Sequence, residues 1–274
     1  MKAKGRLSIL IGPLFLQAML FNTSYVISAD SNTQWQQVPI TTKALRYYLE
    51  SKGISPAGGE GMQFIHALAY APSNPNIAYL GIDTDTIWKS TDGGTTWQRK
   101  SKGIASNGIV SITADPNNEK RVFITGANYN GFWANLADQS KSPLGIYRTL
   151  DGGENWQLVK QTYYGRPGNY ARFGANLIAF AGNTIYAGTE KDGLLKSIDG
   201  GDTWTTVVTY ATIDRIFDVD VHPTDHSIIY VSSINGLKKV TSSGVVTSIG
   251  SGLTGPAVPL LINPQNKSFY FFRF

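Results

Sequence analysis

Three segments of this chain are near-copies of one peptide. They read KSTDGGTTWQ from Lys89, RTLDGGENWQ from Arg148 and KSIDGGDTWT from Lys196. An Asp followed by glycines is typical of a hairpin turn, because its carboxylate accepts hydrogen bonds from nearby backbone N–H groups while glycine adopts backbone angles that other residues avoid. The Trp on the following strand is expected to bury its ring. A chain with such repeats is constrained to fold as an array of similar antiparallel units.

The positions shared by the three copies predict a structural function for each turn, and none of them is assigned to catalysis. They are Asp92, Gly94, Trp97, Asp151, Gly153, Trp156, Asp199, Gly201 and Trp204. A fourth copy has lost the motif, because Ser242 and Thr247 stand where Asp and Trp are expected.

A longer unit surrounds each turn. The segment YLGIDTDTIWKS from Tyr79 aligns with YAGTEKDGLLKS from Tyr186 without a gap. Five alternating apolar runs begin such units, from Ala67, Ser111, Leu177, Asp218 and Leu260. Units of about 40 to 50 residues with four short strands are typical of β-propellers. We therefore predict an all-β fold, a β-propeller of four-stranded blades with about five blades visible and the last one incomplete.

The N-terminal segment predicts export. Residues 1–29 have a basic start, an apolar stretch from Leu7 to Leu20 and small residues at Ser28-Ala29 for cleavage, which is the pattern of a signal peptide. A membrane anchor is the alternative for this segment. We expect residues 30–274 to form the propeller of a secreted protein, extracellular or periplasmic, without membrane association after cleavage. The chain stops within the last predicted blade, which indicates either a truncated product or an irregular closure.

Composition limits the chemistry. The chain has no cysteine, which excludes a disulfide framework and a thiolate site. Three of the positive charges behind the net charge of +5 lie in the predicted signal peptide, and no run of Lys and Arg offers a phosphate-binding surface, so we expect no nucleic-acid partner. His222 and His226 flank a proline turn instead of sharing a helix face, so no metal site is predicted. We expect no cofactor.

The repeated peptide resembles the Asp-box, or BNR repeat, of xyloglucan-hydrolysing glycoside hydrolases and, more distantly, of sialidases and sortilin, in which it is structural. The stretch from Gly58 to Ser90, with WQQVPI before it, resembles the N-terminal propeller of xyloglucanase-type glycoside hydrolases. This resemblance implies that Asp83 occupies the catalytic position of that family. It also implies that the second catalytic carboxylate of the family lies on a second propeller.

Glycoside hydrolysis requires two carboxylates that flank one bond, so a lone carboxylate is a binding residue. The gapless alignment pairs Glu190 with Asp83 and Asp192 with Asp85. Glu190 is therefore the candidate for a second catalytic residue, and Asp85 and Asp192 are candidate ligand-binding residues. The sequence favours a protein related to xyloglucanases that binds glycan without cleaving it, with xyloglucanase-like hydrolysis as the enzymatic alternative.

Two further segments, NYNGFWANLADQSKSP from Asn128 and QTYYGRPGNYARF from Gln161, are rich in aromatic residues beside amides and arginines. Sugar rings stack their apolar faces on aromatic planes while polar groups bond the hydroxyls. The candidate binding residues are Tyr129, Trp133, Tyr163, Tyr164 and Arg166. Packing of these loops onto the sheets is the alternative interpretation. The expected partner is an extracellular polysaccharide or glycan, and the alternative function is a non-catalytic protein-interaction or assembly propeller.

Overall fold

The computed structural model describes most of the chain from residue 65 onward. The described residues are 51, 65–82, 87–106, 108–127, 143–164, 176–250, 253, 255–258, 260–263, 265 and 268–271. The predicted signal peptide lies outside them. So do five candidate site residues, which are Asp83, Asp85, Tyr129, Trp133 and Arg166.

The described residues form five antiparallel sheets that follow one another along the chain. Sheet 1 contains β1 (Ile65–Ala71), β2 (Asn74–Ile82), β3 (Ile87–Ser90) and β4 (Gln98–Arg99). Sheet 2 contains β5 (Gly108–Asp115), β6 (Asn118–Ala127), β7 (Gly145–Thr149) and β8 (Gln157–Gln161). Sheet 3 contains β9 (Ile178–Ala181), β10 (Thr184–Gly188), β11 (Leu194–Ser197) and β12 (Thr205–Val208). Sheet 4 contains β13 (Ile216–Val221), β14 (Ile228–Ser233), β15 (Gly236–Thr241) and β16 (Val246–Ser248), and sheet 5 contains β17 (Leu260–Ile262) and β18 (Phe269–Phe271).

Each of the first four sheets is a meander, because its strands are hydrogen-bonded in chain order. This confirms the predicted all-β class and the predicted four-stranded unit. A short helix, α1 (Tyr210–Ile213), joins sheet 3 to sheet 4 and was not predicted. Within the described ranges, no helix combines the length and the apolar character that crossing a bilayer requires.

In each of the four complete sheets, the first strand is more buried than the fourth. Strand β5 is buried along nearly its whole length, whereas both residues of β4 are exposed. First strands contact each other in series, β1 with β5, β5 with β9, β9 with β13 and β13 with β17. Strand β5 therefore has another first strand on each side, which explains why all but one of its residues are buried.

Apolar side chains fill the space between neighbouring sheets. Tyr79, Ile109 and Tyr147 meet between sheets 1 and 2, where each is at most 1% exposed. A larger core joins sheets 2, 3 and 4 and includes Phe123 and Val219. Because the middle sheets contribute side chains to a core on each face, packing stabilises the series of sheets as a whole.

Polar side chains tie one first strand to the next. Ser111 Oγ accepts the N–H of Leu177 at 3.0 Å, and the Asp218 carboxylate accepts the N–H of Leu260 at 3.0 Å. Ser111 and Asp218 hold equivalent positions, each directly after a bulge in its strand. These bonds satisfy backbone groups on strand edges that have no partner within their own sheet.

Candidate functional site

The two ends of the sheets carry different connections. In a four-stranded meander, the hairpins between the first two strands and between the last two strands lie at one end. The three repeated turns join third to fourth strands and therefore share this end, here named the turn end. Residues 189–193 join a second to a third strand and residues 209–215 lead to the next sheet, so both lie at the opposite end, here named the loop end.

One carboxylate organises the turn of sheet 1. Asp92 Oδ1 accepts the Ser90 hydroxyl at 2.7 Å and the Thr96 N–H at 2.9 Å. The N–H of Gly94 donates to Ser90 Oγ at 2.8 Å, and Trp97 Nε1–H donates to the Gly94 carbonyl at 3.0 Å. Gly94 has a φ of 96°, which lies in the region that favours glycine. The hydroxyl and N–H of Thr96, together with the Ser90 hydroxyl, lower the pKa of Asp92 to about 2.

The bonds to the carboxylate recur in sheets 2 and 3, whereas the indole of Trp156 donates to the Lys100 carbonyl at 2.8 Å instead of to its own turn. Asp151 Oδ1 accepts the Thr149 hydroxyl at 2.7 Å and the Asn155 N–H at 2.9 Å. Asp199 Oδ1 accepts the Thr203 N–H at 3.0 Å. Hydrogen bonds from the side chain and N–H of Asn155 lower the pKa of Asp151 to about 2, and those from Thr203 lower the pKa of Asp199 as well. Each carboxylate is occupied by its own turn, in keeping with a structural function.

A basic residue beside each of two turns connects neighbouring sheets. Lys89 Nζ donates to the Gly152 carbonyl at 2.8 Å, and Arg148 Nη1 donates to the Gly200 carbonyl at 2.8 Å. In both cases the acceptor belongs to the turn of the following sheet. The Tyr79 hydroxyl also donates to the Gly152 carbonyl, at 3.1 Å. The turn end therefore holds each of these sheets to the next one.

At the loop end, Glu190 is 5% exposed and its carboxylate lies 3.6 Å from Arg215 Nε. The connection that carries it is compact, because Thr189 Oγ1 donates to the Gly193 carbonyl at 2.8 Å and the Asp192 N–H donates to Thr189 Oγ1 at 2.9 Å. Asp192 itself is half-buried. The carboxylate of Glu190 is thus buried and paired, and a catalytic function of Glu190 stays a prediction.

A strained residue lies beside this ion pair. Asp214 has a φ of 65° and a ψ of −162°, a conformation nearly confined to glycine. Its carboxylate accepts the Arg215 N–H at 2.7 Å and Asn235 Nδ2–H at 3.1 Å. Its own N–H donates to the Tyr210 carbonyl at 2.7 Å. Asp214 and Arg215 were not among the residues predicted from the sequence. The pattern that could have indicated them is a Tyr followed by an Asp-Arg pair in a connection that does not repeat.

The two described aromatic candidates differ in burial. Tyr164 is completely buried, and its hydroxyl donates to the Gly188 carbonyl at 3.0 Å. A side chain without exposed surface cannot stack on a sugar, so Tyr164 packs the core, as the alternative interpretation of its segment expected. Tyr163 is half-buried, and Lys191 Nζ lies 4.4 Å from its ring centroid. Glycan binding by Tyr163 stays a prediction.

Two carboxylates on β13, the buried Asp218 and the half-buried Asp220, were not among the predicted site residues. Asp218 accepts the N–H groups of Asn176 at 3.2 Å and Leu260 at 3.0 Å, and Asp220 accepts the Ile262 N–H at 3.2 Å. Burial raises the pKa of Asp218 well above its ordinary value and raises the pKa of Asp220 to about 7. Their partners are backbone groups of adjoining sheets, which indicates a structural function. The described part of the chain contains no cluster of three or more His, Asp or Glu side chains arranged for a metal ion.

The chain is similar to xyloglucanases in sequence, and in structure to such enzymes and to other proteins, although no family model matches it. A xyloglucanase of Hypocrea jecorina is 28% identical over 170 residues, which cover 57% of this chain and 18% of that protein. The GH74 xyloglucanase of Xanthomonas campestris superposes with a TM-score of 0.60 and 15% identity over 77% of this chain and 34% of that chain. The GH74 enzyme of Niastella koreensis superposes with a TM-score of 0.53 and 23% identity over 76% and 33% of the two chains. The chain is related to the xyloglucanase propellers.

This relation explains the antiparallel four-stranded sheets, which correspond to propeller blades. The xyloglucanase-like propeller spans 18% of the length of its Hypocrea relative and 34% of the Xanthomonas chain. The activity of these larger proteins does not transfer to this chain by similarity alone.

Proposed function

We propose that this xyloglucanase-like propeller is secreted and binds extracellular polysaccharide without cleaving it. The observation that carries the proposal is the loop end, where the Glu190–Arg215 ion pair and the half-buried Tyr163 lie on connections between strands. Aromatic surface beside fixed polar groups is the combination that binds sugars. Because the similar enzymes of Hypocrea jecorina and Xanthomonas campestris are xyloglucanases, xyloglucan is the favoured ligand.

Binding without cleavage is proposed because of the carboxylates. Hydrolysis requires two of them, about 5 to 9.5 Å apart, on either side of the bond. The 5% exposure of Glu190 and its ion pair with Arg215 support a structural or binding function for it instead of a partnership with Asp83. Asp83 then acts as a single carboxylate that accepts hydrogen bonds from sugar hydroxyls.

The proposal includes three finer assignments. The repeated turns are Asp-box repeats, supported by the bonds that Asp92, Asp151 and Asp199 accept within their own turns. The propeller has about five blades, supported by four complete sheets followed by β17 and β18. Residues 1–29 are a signal peptide and residues 30–274 are the propeller domain, supported by the basic start and apolar stretch of the N-terminal segment.

Affinity electrophoresis of the full chain tests the proposal. We expect xyloglucan in the gel to retard migration and dextran to leave it unchanged. Tyr163→Ala and Asp83→Asn should each weaken the retardation, whereas Ile198→Ser at the turn end should not. Migration that no polysaccharide retards would contradict the proposal. Release of reducing ends from xyloglucan would contradict the absence of cleavage.

A protein-interaction propeller is the second candidate function. Apolar side chains in three consecutive turns at the turn end favour it, because Leu150 is 58% exposed, Ile198 74% and Val245 60%. Large apolar side chains exposed together mark interaction surfaces. A protein partner released by the double variant Leu150→Ser and Ile198→Ser, and not by sugars, would support this function over glycan binding.

A further inference from the structure

We infer that a subsite for a neutral oligosaccharide lies at the loop end between sheets 3 and 4, with Tyr210 as its stacking platform and with Arg215 and Asn235 as its polar groups. This inference rests on the proposed glycan binding and locates it on residues that the sequence did not indicate. The subsite continues into a groove along β15 and β16 that Asn235 also lines.

Tyr210 is the exposed aromatic residue among those that the structure describes. It is 41% exposed at the start of α1, while Ile213 at the other end of that helix is 1% exposed and packs into the core. Tyr210 also lies next to the connection that carries Glu190, since a Cβ at Gly193 would stand 2.8 Å from the Tyr210 nitrogen. An exposed ring of this kind offers the apolar plane on which a pyranose stacks.

The polar groups beside the ring are fixed before any ligand arrives. Asp214 holds Asn235 Nδ2 at 3.1 Å and the Arg215 N–H at 2.7 Å. The Asp214 N–H also donates to the Tyr210 carbonyl at 2.7 Å, which places Asp214 one helical turn from Tyr210. Preorganised groups lose little conformational entropy on binding.

The guanidinium group of Arg215 has N–H donors that its ion pair does not use. Its Nε faces Glu190 at 3.6 Å, while 44% of its side-chain surface remains exposed. A guanidinium carries five N–H donors, so the remaining donors are free to bond sugar hydroxyls. Because Glu190 and Asp214 offset its positive charge, the site suits a neutral sugar better than an anion.

The groove next to Asn235 has the size and lining of a sugar subsite. Its volume is about 390 Å³, and its lining includes Asn235, Leu237, Lys238, Ser248, Ile249 and Leu253. Lys238 Nζ donates to Ser248 Oγ at 2.8 Å, which places an ammonium and a hydroxyl side by side. Ligand sites of this size combine apolar walls with a few polar groups, as here.

Isothermal titration of the full chain with xyloglucan oligosaccharides tests the inference. Loss of a stacking ring is worth about 1.4 kcal/mol, so we expect Tyr210→Ala to weaken binding about tenfold. Tyr210→Phe keeps the ring and should bind within about twofold of the unchanged protein. Asn235→Ala and Lys238→Ala should also weaken binding, and Ile198→Ser at the turn end should not.

The outcomes separate the inference from the proposed function. If the unchanged protein binds the oligosaccharide and Tyr210→Ala binds it equally well, the subsite is wrong and glycan binding stands. If the unchanged protein binds neither oligosaccharide nor polysaccharide, the proposed function is wrong. Because Tyr210 is exposed, its substitution should leave the thermal midpoint unchanged, which distinguishes lost binding from lost folding.

Discussion

Aspartate has two opposite electrostatic environments in this chain. The turn residues Asp92 and Asp151 are exposed and accept several hydrogen bonds, which stabilise the charged form and lower the pKa of each. Asp218 is buried and Asp220 is half-buried on β13, and desolvation there raises the pKa of each. The two pairs therefore affect stability in different ranges of pH.

Removal of a turn carboxylate should destabilise the fold modestly. Asp151→Ala loses bonds to Thr149 and Asn155, and we expect the free energy of unfolding at pH 7 to fall by about 1 kcal/mol. Because the pKa of Asp151 is about 2 in the folded protein against an ordinary 3.8, its contribution is complete above pH 3.8 and disappears as the pH falls towards 2. Urea denaturation at several pH values measures this. Glu154→Ala, which removes an exposed ion pair with Lys100, is the control and should cost about 0.5 kcal/mol or less.

The buried pair should make the protein less stable as the pH rises. In the unfolded chain Asp220 releases its proton near pH 3.8, whereas in the folded protein its pKa is about 7. The folded state therefore binds more protons between these values, and the free energy of unfolding decreases as the pH rises through that window. Asp218, the carboxylate that faces Asp220, acts in the same direction.

Urea denaturation between pH 4.5 and pH 8 checks this expectation. Asp220→Asn should flatten the slope, because an amide does not titrate, while Asp151→Asn at the turn end should leave the slope unchanged. A free energy of unfolding that is constant across this range in the unchanged protein would contradict the expectation.

At the scale of elements, a glycine near the end of a second strand lets the next sheet approach. A Cβ at Gly81 would lie 2.8 Å from Ile109 Cγ2, and one at Gly188 would lie 2.4 Å from Ile216 Cγ2. Ile109 and Ile216 both come directly before the bulge in a first strand. The glycine and the bulge therefore form one repeated packing contact between sheets.

An added methyl group at this contact should be costly. We expect Gly188→Ala to lower the free energy of unfolding by about 1 to 3 kcal/mol, because Ile216 and Val219 would have to move. Gly255→Ala is the matched control, since nothing lies within 4 Å of its Cβ position. Chemical denaturation of both variants decides the matter, and equal stabilities would show that the sheets are not in close contact at Gly188.

Local elements were predictable from the sequence, and contacts between sheets were not. The bonds to each turn carboxylate join residues at most four positions apart, such as Thr96 and Asp92, so the repeated peptide contains both partners. Ser111 and Leu177 are 66 positions apart, and no pattern in the sequence predicts the hydrogen bond between them. The bulges, the glycine contacts and α1 are missing from the prediction for the same reason.

For the whole molecule, the fold class followed from the repeats, whereas the site followed only in part. Alignment of two repeats predicted a carboxylate at Glu190 but not its burial, which depends on Arg215 from the next connection. Tyr210 lies in a connection that no other repeat shares, so no alignment could indicate it. The repeated residues of this chain therefore predict its sheets and turns, whereas the proposed binding residue Tyr210 lies where the repeats differ.

Ligand binding should stabilise the whole molecule. A ligand at about 100 times its dissociation constant adds about 2.7 kcal/mol to the free energy of unfolding. For a domain of this size that raises the thermal midpoint by about 5 to 11 °C. We expect this shift with xyloglucan oligosaccharide and not with dextran oligosaccharide, as measured by calorimetry. Tyr210→Ala should reduce the shift at the same ligand concentration.

In the hydrogen bonds from Lys89 to Gly152 and from Arg148 to Gly200, the donor lies in one sheet and the acceptor lies in the turn of the following sheet. A sheet with a basic residue on its third strand and an Asp-Gly turn can therefore stand on either side of another such sheet. Sheet 4 has neither part, since Val240 and a turn held by Thr241 replace them, as the bond from the Val245 N–H to Thr241 Oγ1 at 3.0 Å shows. A duplicated copy of sheet 2 would join its neighbours with all these bonds intact, whereas a copy of sheet 4 in the same place would interrupt them. We therefore expect an added copy of sheet 2 to be accommodated on the N-terminal side of sheet 4, where the residues that make these bonds recur.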